Sequence, residues 1–194
     1  LGGTSFAYID KNLKENKEVI LAAARTYGFV IKEVKKNSKI FRDREILKAC
    51  LGQIGLSLKY LNKEMKNDQE LVYHAVKQNG YSLKFASKAL KSNKKFIIKC
   101  VKKNGYSLLY VNSKYKKDKN IVLNAIKNYP FSLEYASNDL RSDQKIVLEA
   151  VKKDPFALQF ADRKLWSNLE IIKTATKKDK YILRYLNIKK INNN

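Results

Sequence analysis

The chain has 194 residues, 44% of them apolar and 30% charged, and a formal charge of +23. That length suffices for one or two domains with a real core, and the apolar fraction excludes a disordered chain. No apolar run approaches the ~20 residues that a membrane-spanning helix needs, and no secretory pattern opens the sequence.

The chain is organised as a repeat. Turn residues Gly3, Gly28, Gly55, Gly80, Gly105, Pro130, Pro155 and Lys180 recur every 25 residues, except for a step of 27 from Gly28 to Gly55. The two extra residues fit in Lys35-Lys36-Asn37-Ser38-Lys39, a polar loop where insertion is tolerated. Asn-Gly-Tyr-Ser-Leu-x-Phe-Ala-Ser at 79–87 returns as Asn-Gly-Tyr-Ser-Leu-x-Tyr at 104–110 and as Pro-Phe-Ser-Leu-x-Tyr-Ala-Ser from Pro130. Between these stand Phe96-Ile97-x-x-Cys100-Val101 and its equivalents at Ile121 and Ile146. A fixed step of this size is the signature of stacked structural repeats. The chain opens at Leu1 inside repeat-like sequence, and reads as a piece of a longer product.

Each repeat reads as two short helices. Ser57, Ser82, Ser107 and Ser132 stand where they would N-cap the first. Leu83, Ala86 and Leu90, at i, i+3 and i+7, give that helix one buried stripe. Asn16, Asp43, Asp68, Asn93, Asp118, Asp143 and Asn168 cap the second helix, which buries residues such as Ile146, Val147, Ala150 and Val151. Asn-Gly is expected to stop the middle copies in a left-handed turn, and Pro130 and Pro155 to stop others because proline cannot continue a helix. Helices of this length are marginal alone and need neighbours. The expected fold is therefore all-α, an α-solenoid of about seven to eight 25-residue two-helix repeats over residues 1–187, with a frayed tail at 188–194.

Cys50 and Cys100 occupy the slot filled elsewhere by Ala23, Ala75, Ala125, Ala150 and Ala175. Two repeats apart is roughly 20 Å at about 10 Å per helix layer, too far for a disulfide. They read as small buried residues, which points to a reduced, cytoplasmic setting.

Charge is unevenly spread. Residues 80–119 hold twelve Lys against Asp118 alone, whereas residues 120–170 balance seven basic against seven acidic side chains. Such charge favours acidic partners and weakens self-association, so a monomer is expected. Of the 41 basic residues 35 are Lys, which also fits plain compositional bias in a chain rich in Asn, Ile and Tyr. Two ladders emerge in register: Arg25, Lys77, Lys102, Lys127, Lys152 and Lys177 at the end of the second helix, and Lys14, Lys66, Lys91, Lys116 and Arg141 after the first. Stacking would line each up as a stripe suited to phosphates or to an acidic protein, and dipole complementation at helix ends explains the first ladder equally well. Trp166 interrupts the second ladder, either as a binding hot spot or as a cover for the next repeat.

Aromatic slots run through Tyr60, Phe85, Tyr110, Tyr135, Phe160 and Tyr185, and through Tyr81, Tyr106, Phe131, Phe156 and Tyr181. Stacked bases are one use for them; free exchange of Phe and Tyr suits a seam between repeats better. His74, the only histidine, shares its slot with Ala22, Lys99, Asn124, Glu149 and Thr174, and reads as an exposed surface residue. One His and two separated Cys make no zinc ligand set, the glycines mark turns rather than a phosphate loop, and the carboxylates do not converge. No catalytic, metal or cofactor residue is assigned.

The pattern Ile/Val-Val-Leu-x-Ala-Val-Lys-x-Asn-Gly-x-x-Leu-x-x-Ala-Ser-x-x-Leu, clearest at Glu70–Leu90 and Lys145–Leu165, resembles the tandem repeats of a domain of unknown function, DUF4116. The resemblance covers nearly the whole chain and is weakest at 30–45 and after 175. It implies helical repeats in arrays with an interaction role, and carries no catalytic residues.

Two functions follow. One is a non-catalytic scaffold that offers a protein partner the variable positions Lys84, Leu109, Glu134, Gln159 and Arg184, with Lys91, Lys102, Lys116, Lys127 and Trp166. The other is binding of nucleic acid or another polyanion through residues 80–119.

Overall fold

The computed structural model describes residue 10 and residues 12–191, with side chains through Leu186. The Gly3 turn lies outside the described residues, as do 192–194 of the expected tail. The described residues are helical throughout, with no strand. The α-helices are α1 (Lys17–Thr26), α2 (Arg44–Gln53), α3 (Gln69–Gln78), α4 (Lys88–Lys91), α5 (Lys94–Lys103), α6 (Ser113–Lys116), α7 (Lys119–Asn128), α8 (Asn138–Arg141), α9 (Gln144–Val151), α10 (Leu169–Lys178) and α11 (Tyr181–Ile191). Between them run 3-10 segments such as Gly55–Tyr60, Gly80–Phe85, Gly105–Tyr110, Pro130–Tyr135 and Pro155–Phe160. The chain forms two compact units, Leu1–Phe96 and Ile97–Asn194, divided within α5. In each, layers of the same design stack in a solenoid-like pattern.

A layer holds a 3-10 segment, a single helical turn and a longer α-helix. The longer helices start as the sequence predicts. Asn16, Asp43, Asp68, Asp118, Asp143 and Asn168 each accept two backbone N–H groups with one side-chain oxygen. Leu71, Val72, Ala75 and Val76 of α3, and Ile121, Val122, Ala125 and Ile126 of α7, are at most 1% exposed. The small-residue slot is closed at Cys50, Ala75, Cys100, Ala125, Ala150 and Ala175, while Ala23 is half-buried.

The first predicted helix is divided in two. Leu83 ends up in a 3-10 segment and Leu90 in α4, with Ala86 (φ −64°, ψ 155°) and Ser87 (φ −58°, ψ 156°) extended between them. All three apolar residues are buried, so the stripe is real although the helix is broken. The serines expected to cap it do not. Ser57, Ser82, Ser107 and Ser132 lie inside the 3-10 segments, each 0% exposed. Ser57 Oγ donates to the carbonyl of Gly28 in the preceding layer (2.7 Å), and Ser107 Oγ to Asn104 (2.7 Å).

The turn glycines also differ from expectation. None among the described residues has positive φ, and the helices end instead in an extended residue such as Asn79 (φ −147°, ψ 116°). Glycine is required for close approach. A Cβ at Gly55 would lie 2.4 Å from the carbonyl oxygen of Ala75 and 2.8 Å from Ser82 Oγ. At Gly105 the same distances apply to Ala125 and Ser132. Pro130, which has its own Cβ, is followed 27 residues on by Ala157 where Gly55 and Gly105 are followed by Ser.

Within each unit, side chains tie neighbouring layers together. The Gln78 amide accepts from Gly55 N–H (2.8 Å) and donates to Gln53 C=O (3.0 Å). Asn128 does the same to Gly105 and Lys103 (2.7 and 3.3 Å), and Lys178 Nζ donates to Lys153 C=O (3.0 Å). Backbone N–H groups of Ser87, Ser137 and Asp162 donate to the carbonyls of Lys66, Lys116 and Arg141 in the layer before, each at 2.9 Å.

Candidate interaction surface

The aromatic slots form the seam between layers. Phe29 meets Tyr60, Tyr106 meets Tyr135, Phe131 meets Phe160 and Phe156 meets Tyr185, all edge-to-face with centroids 5.5–5.9 Å apart. Such pairs add about 0.5–1.5 kcal/mol beyond burial. These rings therefore pack layer against layer.

The two basic ladders meet different fates. In the second, Lys66 Nζ donates to the carbonyl of Lys59 (2.7 Å) and Lys91 Nζ to that of Lys84 (3.3 Å). Each lysine thus folds back on the end of its own layer's 3-10 segment, where carbonyls lack internal partners. Burial pushes the ammonium groups of Lys66 and Lys116 below their ordinary value. Arg141 uses Nη2 on Asn138 Oδ1 (2.7 Å), and its Nε is buried without a partner. Trp166, in the same slot, is 7% exposed with its indole N–H buried and unpartnered. It lies in the packing rather than on the surface.

The first ladder is exposed. In the second unit Lys102, Lys127, Lys152 and Lys177 all face solvent near helix C-termini, joined there by Lys103, Lys153 and Lys178. The Asn128 and Lys178 ties hold successive helix ends together, so neighbouring rungs sit about one helix spacing, 8–10 Å, apart. That is near the ~8 Å Debye length at physiological salt, so their fields overlap. Carboxylates nearby are engaged: Glu149 pairs with Lys152 (2.9 Å), while Asp154 and Asp179 accept from the N–H groups of Phe156 and Tyr181 (2.9 and 2.8 Å).

The remaining candidate residues divide by exposure. Lys84, Glu134 and Arg184 are exposed; Leu109 and Gln159 are half-buried. Lys84 Nζ donates to Tyr81 Oη (2.8 Å) and lies 5.1 Å from the centre of that ring. Gln159 donates to Phe156 C=O (3.0 Å) and accepts from Tyr185 Oη (2.7 Å), a structural role that its variable slot did not reveal.

His74 is half-buried rather than exposed, and its Nε2 lies 3.1 Å from where a Cβ on Gly52 would be. Among the described residues no three His, Cys, Asp or Glu side chains are grouped to hold a metal. A cleft of about 430 Å³ lined by Glu134, Asn138, Arg141, Gln159, Asp162 and Arg163 brings polar groups together without a nucleophile and base in contact. No described helix is long and apolar enough to cross a membrane.

Capped helices, glycine close approaches and side-chain ties recurring in register define a tandem helical-repeat protein. Its family follows from three consecutive matches to the domain of unknown function DUF4116, at residues 43–91, 93–141 and 143–191, together well over half of the chain. The chain belongs to that family. Each match begins at the Asp or Asn that opens a long helix and takes in two of the 25-residue repeats. No curated protein and no solved structure matches the chain.

Proposed function

We propose that this chain is a non-catalytic scaffold whose exposed lysine edge in the second unit, Lys102, Lys127, Lys152 and Lys177, takes an acidic protein partner. The supporting observation is the contrast between the ladders: Lys66, Lys91 and Lys116 are half-buried, the first two folded onto carbonyls, whereas Lys102, Lys127, Lys152 and Lys177 are exposed in register, Lys152 beside Glu149. Rim charges of this kind raise association rate and specificity more than they raise affinity. Leu109 and Glu134 add variable chemistry on the 3-10 segments, which suits a partner read by more than charge. The buried, unpaired thiols of Cys50 and Cys100 fit an intracellular, reducing setting.

The test is capture from host lysate, with and without nuclease, by the chain and by a Lys102→Glu/Lys127→Glu/Lys152→Glu/Lys177→Glu variant. A protein retained after nuclease by the parent and lost by the variant supports the proposal. Equal retention by both refutes it. Retention of RNA or DNA at ~50 mM salt, falling log-linearly with salt, would favour the polyanion reading through residues 80–119 instead.

A further inference from the structure

In the first unit, the stretches that run from a 3-10 segment to the next helix cap hold six lysines in matched slots. One layer has Lys59, Lys63 and Lys66, and the next has Lys84, Lys88 and Lys91. Lys59, Lys63, Lys84 and Lys88 are exposed, and Lys66 and Lys91 are half-buried.

Hydrogen bonds gather these residues into one patch. Lys66 Nζ donates to the carbonyl of Lys59 and Lys91 Nζ to that of Lys84, which holds each half-buried lysine against an exposed one. The N–H of Ser87 donates to the carbonyl of Lys66 (2.9 Å) and its Oγ to Asn67 Oδ1, so Lys88 follows directly from the tie between the layers. Burial holds the Lys66 ammonium below its ordinary value, and the charge of Lys36 from the preceding loop adds to the effect. None of the four exposed lysines has a carboxylate partner among the described residues. Lys59 stands over the Tyr60 ring (4.6 Å) and Lys84 donates to Tyr81 Oη. Glu64 is the one acidic residue in 59–66 and 84–91.

Composition does not account for this patch, because the same design recurs in the second unit without it. There the nine equivalent slots hold three basic residues, Lys116, Arg141 and Arg163, and the acidic Glu134. Backbone ties equivalent to that of Ser87 join Ser137 to Lys116 and Asp162 to Arg141, so the scaffold is shared and the charge is not.

The kind of partner follows from what the patch repeats. A folded protein is read through varied and aromatic side chains, whereas here the slots of one layer are copied unchanged in the next. Attachment to a membrane surface draws on apolar side chains as well as charge, and no large exposed apolar residue lies in 55–67 or 80–92. A polymer with one negative charge per unit suits identical lysines set about one helix layer, 8–10 Å, apart. We propose that this face of the first unit binds the phosphodiester backbone of a nucleic acid, without reading its sequence. Lys59, Lys63, Lys84 and Lys88 reach the phosphates, and Lys66 and Lys91 add charge from fixed positions behind them. Three of the six lysines precede residue 80, and none belongs to the helix-end edge of the second unit. Loss of either surface leaves the other standing.

Fluorescence anisotropy of labelled single-stranded RNA and duplex DNA, each about 20 nucleotides long and of mixed sequence, reads the binding between ~50 and ~200 mM salt. For RNA, four to six phosphate contacts give a slope of log K against log salt of about −3 to −4. A Lys59→Gln/Lys63→Gln/Lys84→Gln/Lys88→Gln variant should flatten that slope by about 3 and lose at least about 10-fold in affinity at ~50 mM salt. A Lys102→Gln/Lys127→Gln/Lys152→Gln/Lys177→Gln variant removes the same charge elsewhere and should stay within about 3-fold of the parent. All eight positions are exposed, and far-UV circular dichroism confirms folding. The proposal is overturned if neither nucleic acid is bound at ~50 mM salt, or if the first variant binds like the parent. Equal losses in the two variants would show binding that follows overall charge, and would overturn it too. So would binding to phosphatidylserine vesicles in place of both nucleic acids.

Discussion

Gly105→Ala should destabilise the second unit through steric overlap alone, because no residue described here has a left-handed backbone. The new Cβ would lie 2.4 Å from the Ala125 carbonyl oxygen, 2.8 Å from Ser132 Oγ and 2.8 Å from Tyr129 Cβ. Two of these neighbours are backbone or a branch point and cannot swing away. Overpacking of this kind costs about 1–3 kcal/mol, and the stiffer unfolded chain returns about 0.4–1 kcal/mol. At about 2–4 °C per kcal/mol for a chain of this size, Tm should fall by several degrees, with a matching loss in urea midpoint.

Ser132→Ala supplies the internal check. Its Oγ is buried without a hydrogen-bond partner, so removal alone should be close to neutral. In the Gly105→Ala background it clears one of the three close contacts and should recover part of the lost Tm; the sequence itself carries Ala157 at the corresponding register after Pro130. Full recovery is not expected, since the Ala125 carbonyl stays in place. Gly52→Ala in α2 is the control: its Cβ meets only the rotatable His74 ring, at 3.1 Å, while alanine favours a helix by about 1 kcal/mol. An unchanged Tm for Gly105→Ala, or strictly additive behaviour with Ser132→Ala, would refute the close-approach account.

Ala125→Leu or Ala150→Leu should cost about 1–3 kcal/mol by urea unfolding, because both slots are closed, whereas His74→Leu should change little. Trp166→Ala should cost about 3–5 kcal/mol; Trp166→Lys, which places in the slot the residue found at Lys66, Lys91 and Lys116, should cost clearly less by the same assay. Asp43 and Asp68 are held below the usual carboxylate range, chiefly by Lys17 and Arg44 respectively, with helix N–H groups adding. Depressed carboxylates give stability that is present above their unfolded value and lost as pH falls through the folded one. Tm should accordingly hold from pH 7 to about 5 and drop below about 4; a main loss between pH 7 and 5 would contradict this. Burial pushes the Cys50 and Cys100 thiols up to about 12, so a thiol reagent at pH 8 should label them only as fast as the fold opens.

The parts legible in the sequence are those where one residue type has one physical use. Asp or Asn before an apolar quartet can accept two helix N–H groups, and Asp68 and Asp118 do so. The alanine slot admits nothing large, and Cys50 and Cys100 fit it for the same reason. Ambiguity arises where one pattern serves two geometries. Leu83, Ala86 and Leu90 satisfy a continuous helix, yet an extended Ala86–Ser87 step delivers the same three side chains to the core. Ser82 in front of an apolar run reads as a cap because the alternative, a hydroxyl packed on a glycine of the preceding layer, has no local signature. Gly55 reads as a left-handed stop for the same reason: the carbonyl that excludes its Cβ belongs to Ala75, 20 residues away.

Lysine is the hardest residue to read, since one side chain carries an apolar stem and a charge. Lys91 and Lys102 are indistinguishable by composition and recur with equal regularity. What separates them is the carbonyl of Lys84 within reach of the first, and solvent around the second. Trp166 reinforces the distinction. A slot that takes Lys66, Arg141 and Trp166 in turn cannot be selected for charge alone; their common property is a long stem laid over the layer. Part of the positive charge is therefore a by-product of covering carbonyls and seams. Lys178 at the end of α10 does cover a carbonyl, that of Lys153, and Lys152 meets Glu149, but Lys127, Lys152 and Lys177 share no such covering contact. They are the ones whose reversal tests whether the charge has a partner.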